Sequence, residues 1–118
     1  MKRLLLLAAA AASLAACGTM TVESRQVASL SDGSAYAEVR TVRDPMYMTD
    51  SINDTLELWG VNRSSGAVCI GHRSSYGSWS TFTLAPGQTR RLLALGQSAQ
   101  GQVGIARTTG GCDASHFR

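Results

Sequence analysis

The residues of this chain able to do chemistry are few, and most carry sulfur or imidazole. Three cysteines, Cys17, Cys69 and Cys112, and two histidines, His72 and His116, are spread over 118 residues. Each histidine follows a cysteine closely, as Cys69-x-x-His72 and Cys112-x-x-x-His116. Two thiolates and two imidazoles make a tetrahedral zinc set, so these four residues define a metal-handling alternative. Against it, residues three apart on a strand point to opposite faces. Met46-x-Met48 offers soft thioethers of the kind that hold Cu(I), but Tyr47 stands between them and no histidine adjoins. Methionine as core or loop filler is the ordinary role. Asp50, Asp54 and Glu57 could ligate Ca²⁺, but lack the glycine and spacing of a calcium loop, and read as a polar turn before a strand.

No catalytic constellation emerges, and the chain is expected not to be an enzyme. Ser75, Ser78 and Ser80 lie near Tyr76 and Gly77 without a G-x-S-x-G elbow. Asp113, Ser115 and His116 share one short tail, whereas the members of a triad come from separate elements that fix their geometry. The surface candidate is Gly71–Trp79, which combines His72, Arg73, Tyr76 and Trp79. Aromatic faces beside an arginine suit sugar stacking or a protein hot spot. The competing reading has Trp79 plugging the core and the others as ordinary loop residues. No metal and no cofactor are assigned.

The elements that must position these residues read as strands. Ala35–Arg43, Thr55–Asn62, Ala67–His72, Ser78–Leu84, Thr89–Leu95 and Gln102–Thr108 are short, apolar-alternating or β-branched, and separated by turn residues. In Ser78–Leu84, Phe82 and Leu84 fall on one face and Thr81 and Thr83 on the other. Arg63-Ser64-Ser65-Gly66 predicts a hairpin joining the second and third of these strands. Ala85-Pro86-Gly87-Gln88 predicts a tight turn, proline presetting φ at its first central position and glycine supplying positive φ at the second. Thr19 to Ser34 is rich in Thr, Ser and Ala. It reads as a tether, although Thr21, Val22 and Val27 would also fit a short first strand. The expected fold is all-β: a small antiparallel sandwich of six to seven strands, or a small barrel, over residues 35–118. Val39, Leu56, Leu58, Val61, Val68, Ile70, Phe82, Leu84, Leu93, Leu95, Val103 and Ile105 are its core candidates.

Composition narrows the classes. At 44% hydrophobic and 16% charged residues, the chain is too apolar to be disordered. Its formal charge of +3 includes Lys2 and Arg3; without them nine Arg face eight Asp and Glu. The pairs Arg40/Arg43 and Arg90/Arg91 are too few for a nucleic-acid stripe, so no nucleic-acid partner is expected.

The N-terminus carries an address. Met1-Lys2-Arg3 is a positive n-region, and Leu4 to Ala16 is an apolar run of 13 residues, below the roughly 20 needed to span a bilayer. It ends in Leu14-Ala15-Ala16-Cys17, which resembles the lipobox of bacterial lipoproteins. The resemblance implies a signal peptide over 1–16, diacylglycerol on the Cys17 thiol, cleavage before it, and acylation of the new amine. Residues 17–34 would then be the lipidated N-terminus and tether. Several acyl chains on one residue anchor stably. Gly18 in place of Asp implies the outer membrane, most simply its periplasmic face. With Cys17 lipidated, Cys69 and Cys112 remain, and two cysteines in an exported domain pair. The segments Asn62–Ile70 and Phe82–Thr89 resemble immunoglobulin-like sandwiches of secreted bacterial proteins, which implies a fold and no activity.

The resulting expectation is a non-enzymatic, lipid-anchored accessory, assembly or binding module of the envelope, contacting an envelope protein or cell-wall component. The alternatives are the metal-handling protein above and a small lipoprotein inhibitor or regulator of a cell-wall enzyme. For the latter, Asp32-Gly33-Ser34-Ala35-Tyr36 is only a faint echo of an inhibitor motif.

Overall fold

The computed structural model describes residues 19–44, 54–75, 77–97 and 101–117. They form seven strands: β1 (Met20–Ser29), β2 (Ala35–Arg43), β3 (Thr55–Asn62), β4 (Val68–Arg73), β5 (Trp79–Leu84), β6 (Thr89–Gly96) and β7 (Gln102–Arg107). One antiparallel sheet has the order β1-β2-β3-β6, and the second has β5-β4-β7. The chain is therefore an all-β sandwich. Within the larger sheet, β1, β2 and β3 form a meander of neighbours.

Most of the segment read as a tether is strand. β1 pairs with β2 from Met20↔Arg43 to Ser29↔Tyr36, so the sheet begins at Met20 rather than Ala35. The weak alternation that disguised β1 has a cause. Register shifts between Thr21 and Glu23 and between Gln26 and Ala28 break the two-residue period. The second shift lets adjacent Val27 and Ala28 both pack against the core. β6 uses the same device. Shifts at Leu56/Glu57 and Leu58/Trp59 let Leu92, Leu93 and Leu95 all reach the core, although they are not alternate residues.

The core lies between the sheets. Ala35, Ala37, Val39, Leu58, Val68, Ile70 and Leu84 are its buried centre, and Leu56, Leu93, Leu95, Val103 and Ile105 pack around it. The small residues of β2 let the sheets approach. At Gly60 a Cβ would lie 2.7 Å from Leu84 Cδ2 and 2.8 Å from Ile70 Cδ1.

The hairpin expected between β3 and β4 does not form. The two strands belong to different sheets, and Arg63 to Ala67 carries the chain across the sandwich. The Pro-Gly turn performs the return crossing from β5 to β6. Gln88 N donates to Ala85 O at 3.1 Å, and Gly87 has φ 78°, as a type II turn requires. Asn62 joins the two crossings. Its side chain is buried, and Nδ2 donates to Gly66 O (2.9 Å), Leu84 O (3.2 Å) and Ala85 O (3.2 Å). Its Oδ1 accepts from Ser64 N (3.0 Å) and Ser64 Oγ (2.6 Å). Its backbone N–H donates to Gln88 O at 2.9 Å. A hairpin loop and a crossover of this length have the same composition. The distinction lies in an amide that reaches both crossings at once.

Asn62→Ala would strip the partners from buried carbonyls at both crossings and leave a void between them. The expected loss is about 2–4 kcal/mol in urea unfolding, several times that of Ser65→Ala on the exposed crest of the same turn.

Candidate functional site

Cys69 and Cys112 form a disulfide, with Cα atoms 5.3 Å apart and a separation of 43 positions in sequence. The chain-entropy relation gives such a closure roughly 4 kcal/mol at most. The two sulfurs are bonded to each other, so the zinc set loses both its thiolates. His72 and His116 are not brought together with them: His72 is buried on the core side of β4, and His116 sits in the exposed tail. Among the described residues no group of three or more His, Cys, Asp and Glu side chains is placed to hold a metal ion.

The disulfide does more than close a loop. β4 is the middle strand of its sheet, and Cys69 and Gly71 lie on the face turned away from the core. Cys112 draws the C-terminal tail across that face, where Thr81 Oγ1 donates to Cys112 O at 3.2 Å. The tail ends in a 3-10 turn, Ala114–Phe117, which packs on β4, β5 and β7. The Phe117 ring lies over Gly71 and Gly104, which are cross-strand partners. A Cβ on Gly71 would stand 2.5 Å from Phe117 Cε2, and one on Gly104 would collide with Cδ1. Trp79 closes the third side, its ring stacked on Phe117 at 5.1 Å and 22°. Sequence reasoning passed over Phe117 because the tail has no periodicity. The available signal was a glycine in the middle of each of two strands, Gly71 and Gly104, leaving a trough only an aromatic ring would fill.

The candidate loop is thereby divided. The β4–β5 hairpin is present, its tip closed by Gly77 N donating to Ser74 O at 3.0 Å. Of its four chosen residues, the three described ones do not converge. His72 faces the core, Trp79 belongs to the outer aromatic stack, Arg73 is exposed at the end of β4, and Tyr76 lies outside the described residues. The proposal that Trp79 plugs the core fails as well, since its stack is on the other face of the sheet. Arg73 instead borders an open cleft of about 390 Å³ with Ser74, Ser75, Gly101 and Gln102.

The remaining candidates have structural partners. Asp113 Oδ1 accepts from Ser115 N at 2.9 Å and from the Ser115 hydroxyl, so the carboxylate caps the 3-10 turn and the serine is bonded to it. Asp54 makes a two-pronged pair with Arg43, at 2.7 Å (Nε to Oδ1) and 2.8 Å (Nη2 to Oδ2). Glu57 accepts from Trp59 Nε1 at 3.0 Å and from Arg91 Nη1 at 3.0 Å. Arg40 lies over the Trp59 ring, 4.0 Å from its centre, and pairs with Glu38 at 2.5 Å. In the β1–β2 turn, Asp32 accepts from Ser34 N (2.9 Å) and Ser34 Oγ (2.7 Å) and pairs with Arg107 (2.7 Å). These contacts account for Asp32-Gly33-Ser34 as a turn. Cys17, Met46, Tyr47, Met48 and Asp50 lie outside the described residues.

Comparison with protein-family models, curated proteins and solved structures finds no match to this chain.

Two predictions follow from this geometry. Gly104→Ala should cost about 1–3 kcal/mol by displacing Phe117. In a Phe117→Ala background the same change should cost nothing, as a double-mutant cycle in urea would read. The second concerns acid. The Ser34 bonds hold the Asp32 carboxyl below its ordinary value of 3.8, the Arg43 bonds do so for Asp54, and the Ser115 bonds for Asp113. Carboxyls lowered on folding stabilise above that value and lose the contribution as pH falls through their folded values. Thermal midpoints should therefore be flat from about pH 7 to 5 and fall below about pH 4, with Asp54→Asn flattening part of the acid limb.

Proposed function

We propose that the protein is a non-enzymatic outer-membrane lipoprotein, anchored through Cys17 and facing the periplasm, that serves as a binding module for a neighbouring envelope component. The lipobox-like Leu14-Ala15-Ala16-Cys17 supports the address. The observation that carries the binding role is the cleft at the β4–β5 tip, where Arg73 is exposed beside Ser74, Ser75 and Gln102.

The scaffold suits that role. β4 is the central strand of its sheet, clamped on one face by the core and on the other by the disulfide-held tail. A rigid strand with an open loop at its end fixes the direction of a recognition group without restricting what the loop carries. Arg73 offers a planar fork of donors, which favours carboxylate or phosphate oxygens on a partner. The serine hydroxyls and the Gln102 amide add donors and acceptors at the same opening. Metal handling through Cys69 and Cys112 is not retained, because their sulfurs are spent on each other.

The intact mass of the protein from bacterial membranes tests the address: acyl and diacylglycerol mass on an N-terminal Cys17 is expected, and an unmodified residue there overturns it. The binding role is tested by the pair Arg73→Ala and Tyr76→Ala. Arg73 is exposed and both residues belong to the hairpin tip by sequence, so the thermal midpoint should move by no more than about 2 °C. Recovery of crosslinked envelope partners from cells should be lost, and undiminished recovery removes this loop from the reading.

A further inference from the structure

Two large apolar side chains stand exposed among the described residues, Met20 (43%) and Val22 (41%). Both belong to the first three residues of β1, an edge strand. A groove of about 560 Å³ opens beside Met20 on the outer face of the four-stranded sheet, lined by the apolar Met20, Val42 and Trp59 and by the polar Thr21, Arg40 and Glu57. The rest of the exposed surface of β1 is polar or charged, including Glu23, Ser24, Arg25 and Gln26. The apolar patch is thus confined to one end of the strand.

That end is defined by the topology. The β3–β4 and β5–β6 crossings lie at the Asn62 end, and the strand registers put the start of β1, the β4–β5 tip, the end of β6 and the start of β7 at the opposite one. Chain length places this end relative to an anchor. Three residue steps separate Cys17 from Met20, a reach of at most about 11 Å when fully extended. The polar interface of one leaflet is itself roughly 5–8 Å thick. A chain acylated at Cys17 therefore has no room to hold Met20 far from the bilayer.

We infer that the Met20–Val22 end of the sandwich rests on the phospholipid surface, with these two side chains at the headgroup boundary and the Trp59 groove opening onto it. The inference rests on the lipidated reading of Cys17. Apolar groups at the interface gain by leaving water, and an aromatic ring with a bonded N–H is suited to that depth. Arg73 and its cleft stand at the same end, where they meet components at the bilayer surface rather than in the open periplasm.

Trp59 makes the contact measurable, since the chain has 2 tryptophans and Trp79→Phe leaves it as the single reporter. Protein whose Cys17 lipid has been confirmed by intact mass is reconstituted into phosphatidylcholine vesicles carrying a nitroxide near the headgroup. A second reporter, Ser65→Trp in a Trp59→Phe, Trp79→Phe background, marks the far end. Trp59 fluorescence should be quenched about twofold or more beyond that of the position-65 reporter, and Met20→Ser with Val22→Ser should reduce the difference while the tether remains. Equal quenching of the two reporters, or a spared Trp59, overturns the inference while leaving the lipid on Cys17 intact. Loss of the difference on self-association in detergent-free solution assigns the patch to a second copy and overturns it too. Absence of the lipid in the mass spectrum overturns the parent reading and this one with it.

Discussion

The sandwich depends on one buried amide. The chain changes sheets three times, and the first two changes, β3 to β4 and β5 to β6, come together at one end where turns present backbone carbonyls to the interior. Asn62 supplies a donor to three of them and takes two donors on its oxygen. A buried polar group is costly unless its bonding capacity is used, and here it is used on both atoms. An apolar residue would fill the space but leave the crossings open. An aspartate would set an acceptor against acceptors. With Asn62 in place, the leucines and valines of β3 to β6 are delivered to a common interior. Without it, β3 and β4 have the turn chemistry to pair in one sheet.

A second constraint acts from outside. Sheets of three short strands are thin, and the outer face of β5-β4-β7 is covered by neither sheet. The disulfide and the tail provide that cover. Cys112 sets the tail's path, and Phe117 fills the trough over Gly71 and Gly104 against Trp79. The middle strand is consequently buried on both faces, which is why Cys69, Gly71 and His72 are all buried although successive residues face opposite ways. This explains how a modest core suffices. The domain holds a small apolar layer outside the sandwich as well as the larger one within.

The polar face of the larger sheet follows a different rule. Its charges are arranged as a chain, Glu38 to Arg40 to the Trp59 ring, and Trp59 to Glu57 to Arg91. Each link is modest, because pairs at an exposed surface are weakened by water. Their joint effect is to orient Trp59 flat on its sheet beside the groove that begins at Met20. The Trp59 ring thus borders the same groove as Met20, although its backbone lies mid-strand opposite Glu38.

What the sequence determined by itself is local. Alternation located β2, β3, β5 and β7 within a residue or two, because strands half-buried in a sandwich must place apolar groups at every second position. The Pro-Gly turn was legible because its backbone angles demand those residue types, and the disulfide followed from the expectation of export and of a lipidated Cys17, which leaves two cysteines with one pairing open to them. Tertiary structure decided everything that depends on which surfaces meet. The register shifts of β1 hide most of that strand from a two-residue period, and those along β6, a strand the sequence did show, decide which of its leucines face the core. Asn62 turns an apparent hairpin into a crossing. Loop residues adjacent in sequence, His72 and Arg73, are sent to opposite sides of a sheet. Phe117, in a tail with no pattern, acquires its role only when a disulfide lays it across two glycines. The physical reason is common to all of these: periodicity records the face a residue shows, and the partner across that face is supplied by distant chain.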